Sequence, residues 1–571
     1  MRPDKQFTRM YFAALFFSMA LLLTSCGGSQ QPTGHPTKAS ADKQLAVIPL
    51  YVSDISTFDP VLAFDIASQE VINTIFSGLV TLDDHLNVRP QLAASYQQLP
   101  DGLTWKFTLR PNLTFSDGTP LTSKDVVYSI DRALQPAEKS TTAPFFLGLI
   151  KDSDELSAGK IKTLIGNSLL APDPNTVIIV TNKQAPYFLD MLTYPCSYVV
   201  EKKLIDTYKT SFTDHLTAGG SSGPFKVTQY THGQEIDFVP NPNYYGPHPQ
   251  LSKVIFPFYS QNDAAYHAYQ VGQVDTTGVP VSMFTSDKKR KDFVQVLQLW
   301  INYYTMNYRT PPFDNIHIRQ AFALAIDKTA IASTIWKGTV IPTNHIVPQG
   351  MPGYNADLTG PDGTQNLKGN SSLAKTLLQK GMQEEHWTNI SQIPPIKLTY
   401  ATGNSNLDQE VTAMIQMWQK VLGITVKPDP VDYNTLLTQV TLATGNSAGL
   451  QFWGLTWVAE YPDQQDWLTR QFDRGVPNNN MNYGQNTSSD VAQQQNVQQQ
   501  LEAADQNTNA AARVQAYQQA EQQLVNDVAW LPMDQETLAF LRKPTVIGVV
   551  DNADGIIPPN DWANIYIGQY Q

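Results

Sequence analysis

Residues 104–134, TWKFTLRPNLTFSDGTPLTSKDVVYSIDRAL, change periodicity once, and that change sets the fold class. In 104–110 the side chains alternate in and out, the period of a half-buried strand. Asp117-Gly118 then reads as a turn, because both residues tolerate the backbone angles a tight reversal needs. From Ser123 the apolar positions recur at helical spacing, with Ser123 expected as N-cap and Asp125 and Asp131 on the exposed side.

The same alternation runs outward in both directions. Strands are predicted at 45–52, 175–181, 224–230, 235–241, 396–401 and 424–431, and helices at 68–80, 318–336, 371–380 and 410–422, three of them closed by Gly338, Gly381 and Gly423. Residues 491–526 are rich in Gln and Ala, yet Val497, Leu501 and Ala504, then Val514, Tyr517, Ala520 and Leu524, give them the stripe of solvated helices. Alternating strands and helices imply an α/β protein with mixed sheets. No fixed-period repeat is present.

The chain has 571 residues, 42% of them hydrophobic and 10% aromatic. That is too long for one core, since single cores stop growing near ~250 to 300 residues. Only 16% are charged and the net charge is −12, which argues against a nucleic-acid partner, because such partners are held by clustered Lys and Arg. The nine His residues form no H-E-x-x-H or other paired spacing, and the two Cys residues offer no zinc pair, so no metal or cofactor is expected. There is no G-x-G-x-x-G or P-loop, so nucleotide hydrolysis would belong to partner subunits. GGSSG at 219–223 fits G-x-S-x-G, but the chain continues as a strand where a nucleophile elbow would enter a helix, so an enzyme is not expected.

At the N-terminus, Arg2, Lys5 and Arg9 precede an apolar stretch over 11–23 that is shorter than the ~20 residues a membrane helix needs. Residues 23–26, LTSC, resemble a bacterial lipobox, which makes 1–25 a lipoprotein signal peptide and Cys26 the lipidated residue. Residues 26–44 read as a flexible tether of Gly, Ser, Pro and Gln. The expected location is the outer face of the cell membrane or the periplasm, with the lipid as the only membrane contact. Cys196 then stands alone, so no intramolecular disulfide is expected.

Several stretches match one family in order: 54–80, 105–130, 221–230, 238–246, 306–328 and 520–532. Together they resemble the oligopeptide- and dipeptide-binding proteins that feed ABC transporters, family 5 of the extracellular solute-binding proteins. The resemblance implies a two-lobed periplasmic-binding-protein-like fold (class II) with a hinge and an extra domain inserted in the first lobe. On that pattern lobe I is 45–80, 216–300 and 534–571, the inserted domain is 81–215 and lobe II is 301–533. It also implies a monomer that captures peptide and delivers it to permease and ATPase subunits. A non-peptide solute such as a metal chelate or oligosaccharide, and a non-transport receptor or adhesion role, remain the alternatives.

The family's W-x-A-D-Y stretch supplies an Asp that pairs with the ligand's α-amino group. Its match is Trp457-Val458-Ala459-Glu460-Tyr461, making Glu460 the expected ammonium anchor, one methylene longer than usual. A carboxylate among aromatics is costly unless a cation and hydrogen bonds compensate it. Trp457 either stacks on the ligand or packs in the core, and Tyr433 sits where relatives place another aromatic. Phe64, Asp65 and Ile66 fall on the loop whose backbone meets an extended ligand in relatives, as an added strand would. Tyr303 and Tyr304 begin the second lobe, and because neighbours on a strand face opposite ways at most one of them faces the ligand. Asp534, Gln535 and Glu536 stand where relatives often carry aromatics, and either carboxylate in the cleft would favour a cationic ligand.

Overall fold

The computed structural model describes residues 36–570; the expected signal peptide, Cys26 and tether residues 26–35 lie outside the described residues. Strand Thr104–Leu109 buries Trp105, Phe107 and Leu109 and occupies the interior of a four-stranded antiparallel sheet with Ala93–Gln98, Thr176–Val180 and Leu169–Asp173. Helix Ser123–Ala133 packs on that sheet through Val126, Val127 and Ile130. Its N-cap is Thr122 rather than Ser123: Thr122 and Asp125 satisfy each other's backbone amides as a capping box. Asp131, expected on the exposed side, is buried, because it accepts the Thr163 hydroxyl at 2.8 Å and the Leu164 amide at 2.6 Å.

A second four-stranded sheet runs Leu45–Val47, Lys253–Pro257, Glu235–Pro240 and Phe225–Thr231, with only the first pair parallel. The largest sheet has seven strands and centres on two long antiparallel strands, Phe293–Met306 and Leu531–Arg542. Phe452–Val458 pairs antiparallel with the former, followed by Ile396–Ala401 and Val426–Val431 in parallel. Thr276–Gly278 and Val340–Pro342 pair with the latter. Sheets of mixed direction with helices between strands make this the two-lobed α/β fold expected from the sequence. The ladder between the two long strands breaks between Leu297 and Ile301, and the expected lobe boundaries at 300 and 533 fall within those strands.

Three elements differ from expectation. The helix predicted over 318–336 is two helices, Ile316–Leu324 and Lys328–Thr334, because Asp327 accepts the Ala330 amide at 2.8 Å and starts the second as its N-cap. Helix Ser371–Glu384 runs straight through Gly381 instead of ending there; a Cβ at Gly381 would come within 2.6 Å of Ile318, so the glycine serves close helix packing. Residues 36–44 are structured rather than a tether. Thr37–Lys38 pairs with Gly568 and Gln569, and the buried Gln44 side chain donates to the Ala39 and Ile567 carbonyls at 2.8 and 2.9 Å. By contrast, Gly423 at φ 72° ends helix Ser405–Leu422 as predicted. The stripe residues of Val491–Gln506 and Ala510–Asn526 are buried except Val514, which is partly exposed.

Candidate functional site

The ladder break at 298–300 leaves backbone groups free to face something other than the neighbouring long strand. Leu299 donates to the Ala553 carbonyl at 3.3 Å and accepts from the Ala459 amide at 2.9 Å, while the Gln535 side chain donates to the Gln298 carbonyl at 2.8 Å. The interrupted strand therefore becomes the floor of a cleft of about 380 Å³. The start of helix Ile66–Ile75 and the turn at 193–198 form one wall, residues 458–462 face it, and loops 81–86 and 552–558 close the sides.

On the first wall, Asp65 caps its helix by accepting the Ser68 amide and hydroxyl, each at 2.9 Å. The cap fixes the flanking Phe64 and Ile66, which line the cleft at 65% and 74% exposure. Two large apolar side chains held open on a concave surface mark a place where a ligand can cover them. Behind them the Gln69 amide donates to the Tyr194 hydroxyl at 3.1 Å, and the Tyr198 hydroxyl donates to Asn73 at 2.8 Å.

On the facing wall Glu460 sits in a turn organised by Asp466. The wholly buried Asp466 carboxylate accepts from the Glu460 amide at 3.0 Å, from the Trp457 indole at 3.3 Å and from Arg470 at 3.3 Å. Burial pushes Asp466 up to about 7 against the pull of Arg470. The Glu460 carboxylate itself has no hydrogen bond or ion pair among the described residues; solvent reaches it in the cleft, yet surrounding protein raises its pKa, opposed by Arg470. An anion presented in this way is poised for a cationic group. Tyr461 anchors the turn: its ring is buried 6.2 Å from Phe145 and 6.3 Å from Tyr187, and its hydroxyl meets Gln465.

Phe64, Ile66, Ala459, Glu460 and Tyr461 thus converge on one cleft. The other expected residues do not line it. Trp457 turns its indole to Asp466, with Arg470 5.5 Å from its ring. Tyr303 stacks on Trp530 at 3.6 Å and Tyr304 donates to Glu410 at 2.8 Å, so opposite faces of the sheet bury both. Tyr433 is 57% exposed at the start of helix Tyr433–Ala443, outside the cleft. Glu536 accepts Asn302 at 2.8 Å beside buried Asp534 rather than entering the cleft, and the Asp65 carboxylate serves its cap. Sequence reasoning missed Asp554. The motif DNADG at 551–555 announces a turn, but its aim into the cleft depends on the Leu299–Ala553 contact.

A cleft between lobes that meet at shared strands, with an open anion and uncovered apolar groups, defines a protein that captures a solute. The comparisons agree: the model of the bacterial extracellular solute-binding proteins, family 5 Middle, matches residues 87–479, and the chain belongs to that family. Among curated relatives, the dipeptide-binding protein DppE of Bacillus subtilis is 27% identical, covering 98% of this chain and 99% of its own. The oligopeptide-binding protein OppA of the same organism is 26% identical over 82% of this chain and 85% of its own. Among solved structures, the MppA periplasmic murein tripeptide binding protein in its unliganded open form superposes with a TM-score of 0.79 at 23% identity, covering 94% of this chain and 99% of that one. Listeria monocytogenes OppA bound to peptide gives 0.61 at 22%, covering 92% and 99%.

Proposed function

We propose that this protein is a lipid-anchored, monomeric peptide-binding component of an ABC importer, with the lobes and inserted domain divided as the sequence suggests and Cys26 as the lipid attachment. Peptide enters the open cleft, the lobes close about strands Phe293–Met306 and Leu531–Arg542, and the closed form is presented to the permease. No step of covalent chemistry is needed. Relatives named for dipeptides and oligopeptides support the ligand class.

The observation that carries the reading is Glu460: a carboxylate fixed through its own amide by Asp466, facing the cleft and lacking a partner among the described residues. It suits the ammonium at a peptide's N-terminus, and main-chain bonds to the Phe64 loop suit an extended backbone of any sequence. Glu460→Gln is expected to weaken peptides with a free N-terminus about tenfold or more, as loss of a charge-assisted bond of roughly 1.5 to 3 kcal/mol predicts, and to leave N-acetylated peptides little changed. Titration calorimetry with both peptide forms checks this; equal losses for the two forms would remove Glu460 from the anchor role.

A further inference from the structure

Among the described residues three carboxylates line the cleft, Asp83, Glu460 and Asp554, and no Lys, Arg or His side chain does. They are not equivalent. Asp83 is compensated: Arg89 donates to it at 2.7 Å, and the His85 and Asn87 amides donate to it at 2.9 Å each. Asp554 has no side-chain hydrogen bond or ion pair among the described residues; solvent reaches it in the cleft, and the surrounding protein pushes its carboxyl up to about 6. It is nevertheless rigidly placed. Asn552 accepts the Asp554 and Gly555 amides at 3.1 and 2.9 Å, and Ala553 between them takes the Leu299 amide of the cleft floor.

The two acids without a bonded partner among the described residues reach the cleft from different elements, Glu460 with Arg470 as the nearby opposing charge. Glu460 comes from the 458–462 wall and Asp554 from the 552–558 loop, and both approach the 193–198 turn opposite. Burial raises the phenols of Tyr194 and Tyr198; Glu460 adds to the effect at Tyr194, and Asp554 is the foremost charge acting on Tyr198. One ligand ammonium can neutralise one of these acids. The other, exposed in the cleft, remains open to a second cation carried by the same ligand. A ligand carboxylate finds no basic side chain in the lining.

We infer that the cleft selects dicationic peptides, with the α-ammonium at Glu460 and a Lys or Arg side chain at Asp554. This inference rests on the peptide-binding reading of the same cleft. Arg or Lys at the Asp554 position gains a charge-assisted bond in a partly dehydrated site, whereas an acidic side chain there meets like charge.

The test compares pentaalanine peptides carrying Lys or norleucine at each position in turn, by titration calorimetry with the purified protein. Lys and norleucine side chains share their aliphatic stem, so charge is the main difference, and no variant is required. At one position Lys should bind about tenfold or more tighter than norleucine. Asp554→Asn, checked for an unchanged melting midpoint, should abolish that ratio while leaving the norleucine peptide as before. Glu460→Gln should weaken both peptides and preserve the ratio. A ratio near one at every position, or a ratio that survives Asp554→Asn, overturns the proposal. If no pentapeptide binds, cadaverine separates the two readings. Cadaverine binding that Asp554→Asn abolishes would keep the cationic subsite and discard peptides; binding of neither ligand would discard both.

Discussion

Asp466 has no contact with solvent and serves three donors at once: the Glu460 amide, the Trp457 indole and Arg470. Arg470 in turn lies over the Phe145 ring at 4.0 Å, so the turn that presents Glu460 is braced across to helix Ala143–Phe146. Replacing Asp466 by Asn removes one acceptor and sets a new amide donor against existing donors. The expected cost is about 1 to 3 kcal/mol of stability, the scale of a buried group left unsatisfied. Denaturant unfolding reads that cost directly. Binding of free-N-terminus peptides should weaken in the same variant although Glu460 is untouched, because its amide loses the contact that aims it.

Among the elements, the segment 219–223 shows how a motif can mislead. Its glycines and serines do not build a nucleophile elbow; they cap helix Ile66–Ile75, the helix that carries the Phe64 wall. The Ser222 and Gly223 amides donate to the Ile75 carbonyl at 3.0 and 2.9 Å, and the Ser222 hydroxyl accepts the Ser77 amide at 3.0 Å. Contact is so close that a Cβ at Gly223 would lie 2.7 Å from the Ile75 backbone carbon and 2.8 Å from the Thr74 carbonyl oxygen. Backbone cannot rotate away as a side-chain tip can. Gly223→Ala is therefore expected to destabilise by about 1 to 3 kcal/mol, the range of overpacking, seen as a lowered calorimetric midpoint.

For the molecule as a whole, Glu521 links stability to pH. Its buried carboxylate accepts the Ile346 and Val347 amides at 3.0 and 2.9 Å, tying helix Ala510–Asn526 to a segment some way off in sequence, while its other oxygen is buried without a hydrogen-bond partner among the described residues. Burial pushes it up to about 8, against an ordinary 4.5 for an unfolded chain. The folded state thus holds a proton that the unfolded state has released across that window, and stability falls as pH rises through it. A neutral amide removes this slope. Relative to the parent, Glu521→Gln should gain melting temperature between pH 5 and pH 8, which scanning calorimetry at the two values measures.

The sequence by itself determined the α/β class, most strand and helix positions and the family, and it singled out the stretch around Glu460. Those signals are local: period two in 104–110, period 3.6 in 410–422, and a short motif around Trp457. It did not determine which neighbour each side chain meets. Asp327 reads as one more polar residue in a helical stretch until its contact with Ala330 shows it dividing two helices. Tyr303, Tyr304 and Glu536 look like cleft residues until Trp530, Glu410 and Asn302 close around them. Asp554 lies far from Glu460 in sequence and enters the same cleft only because Leu299, released by the ladder break, binds Ala553 and Ala459 at once. Periodicity follows from the backbone geometry of a single segment and so is written along the chain. The cleft's charge depends on which loops of different segments pack on one floor, and only the tertiary structure decides that.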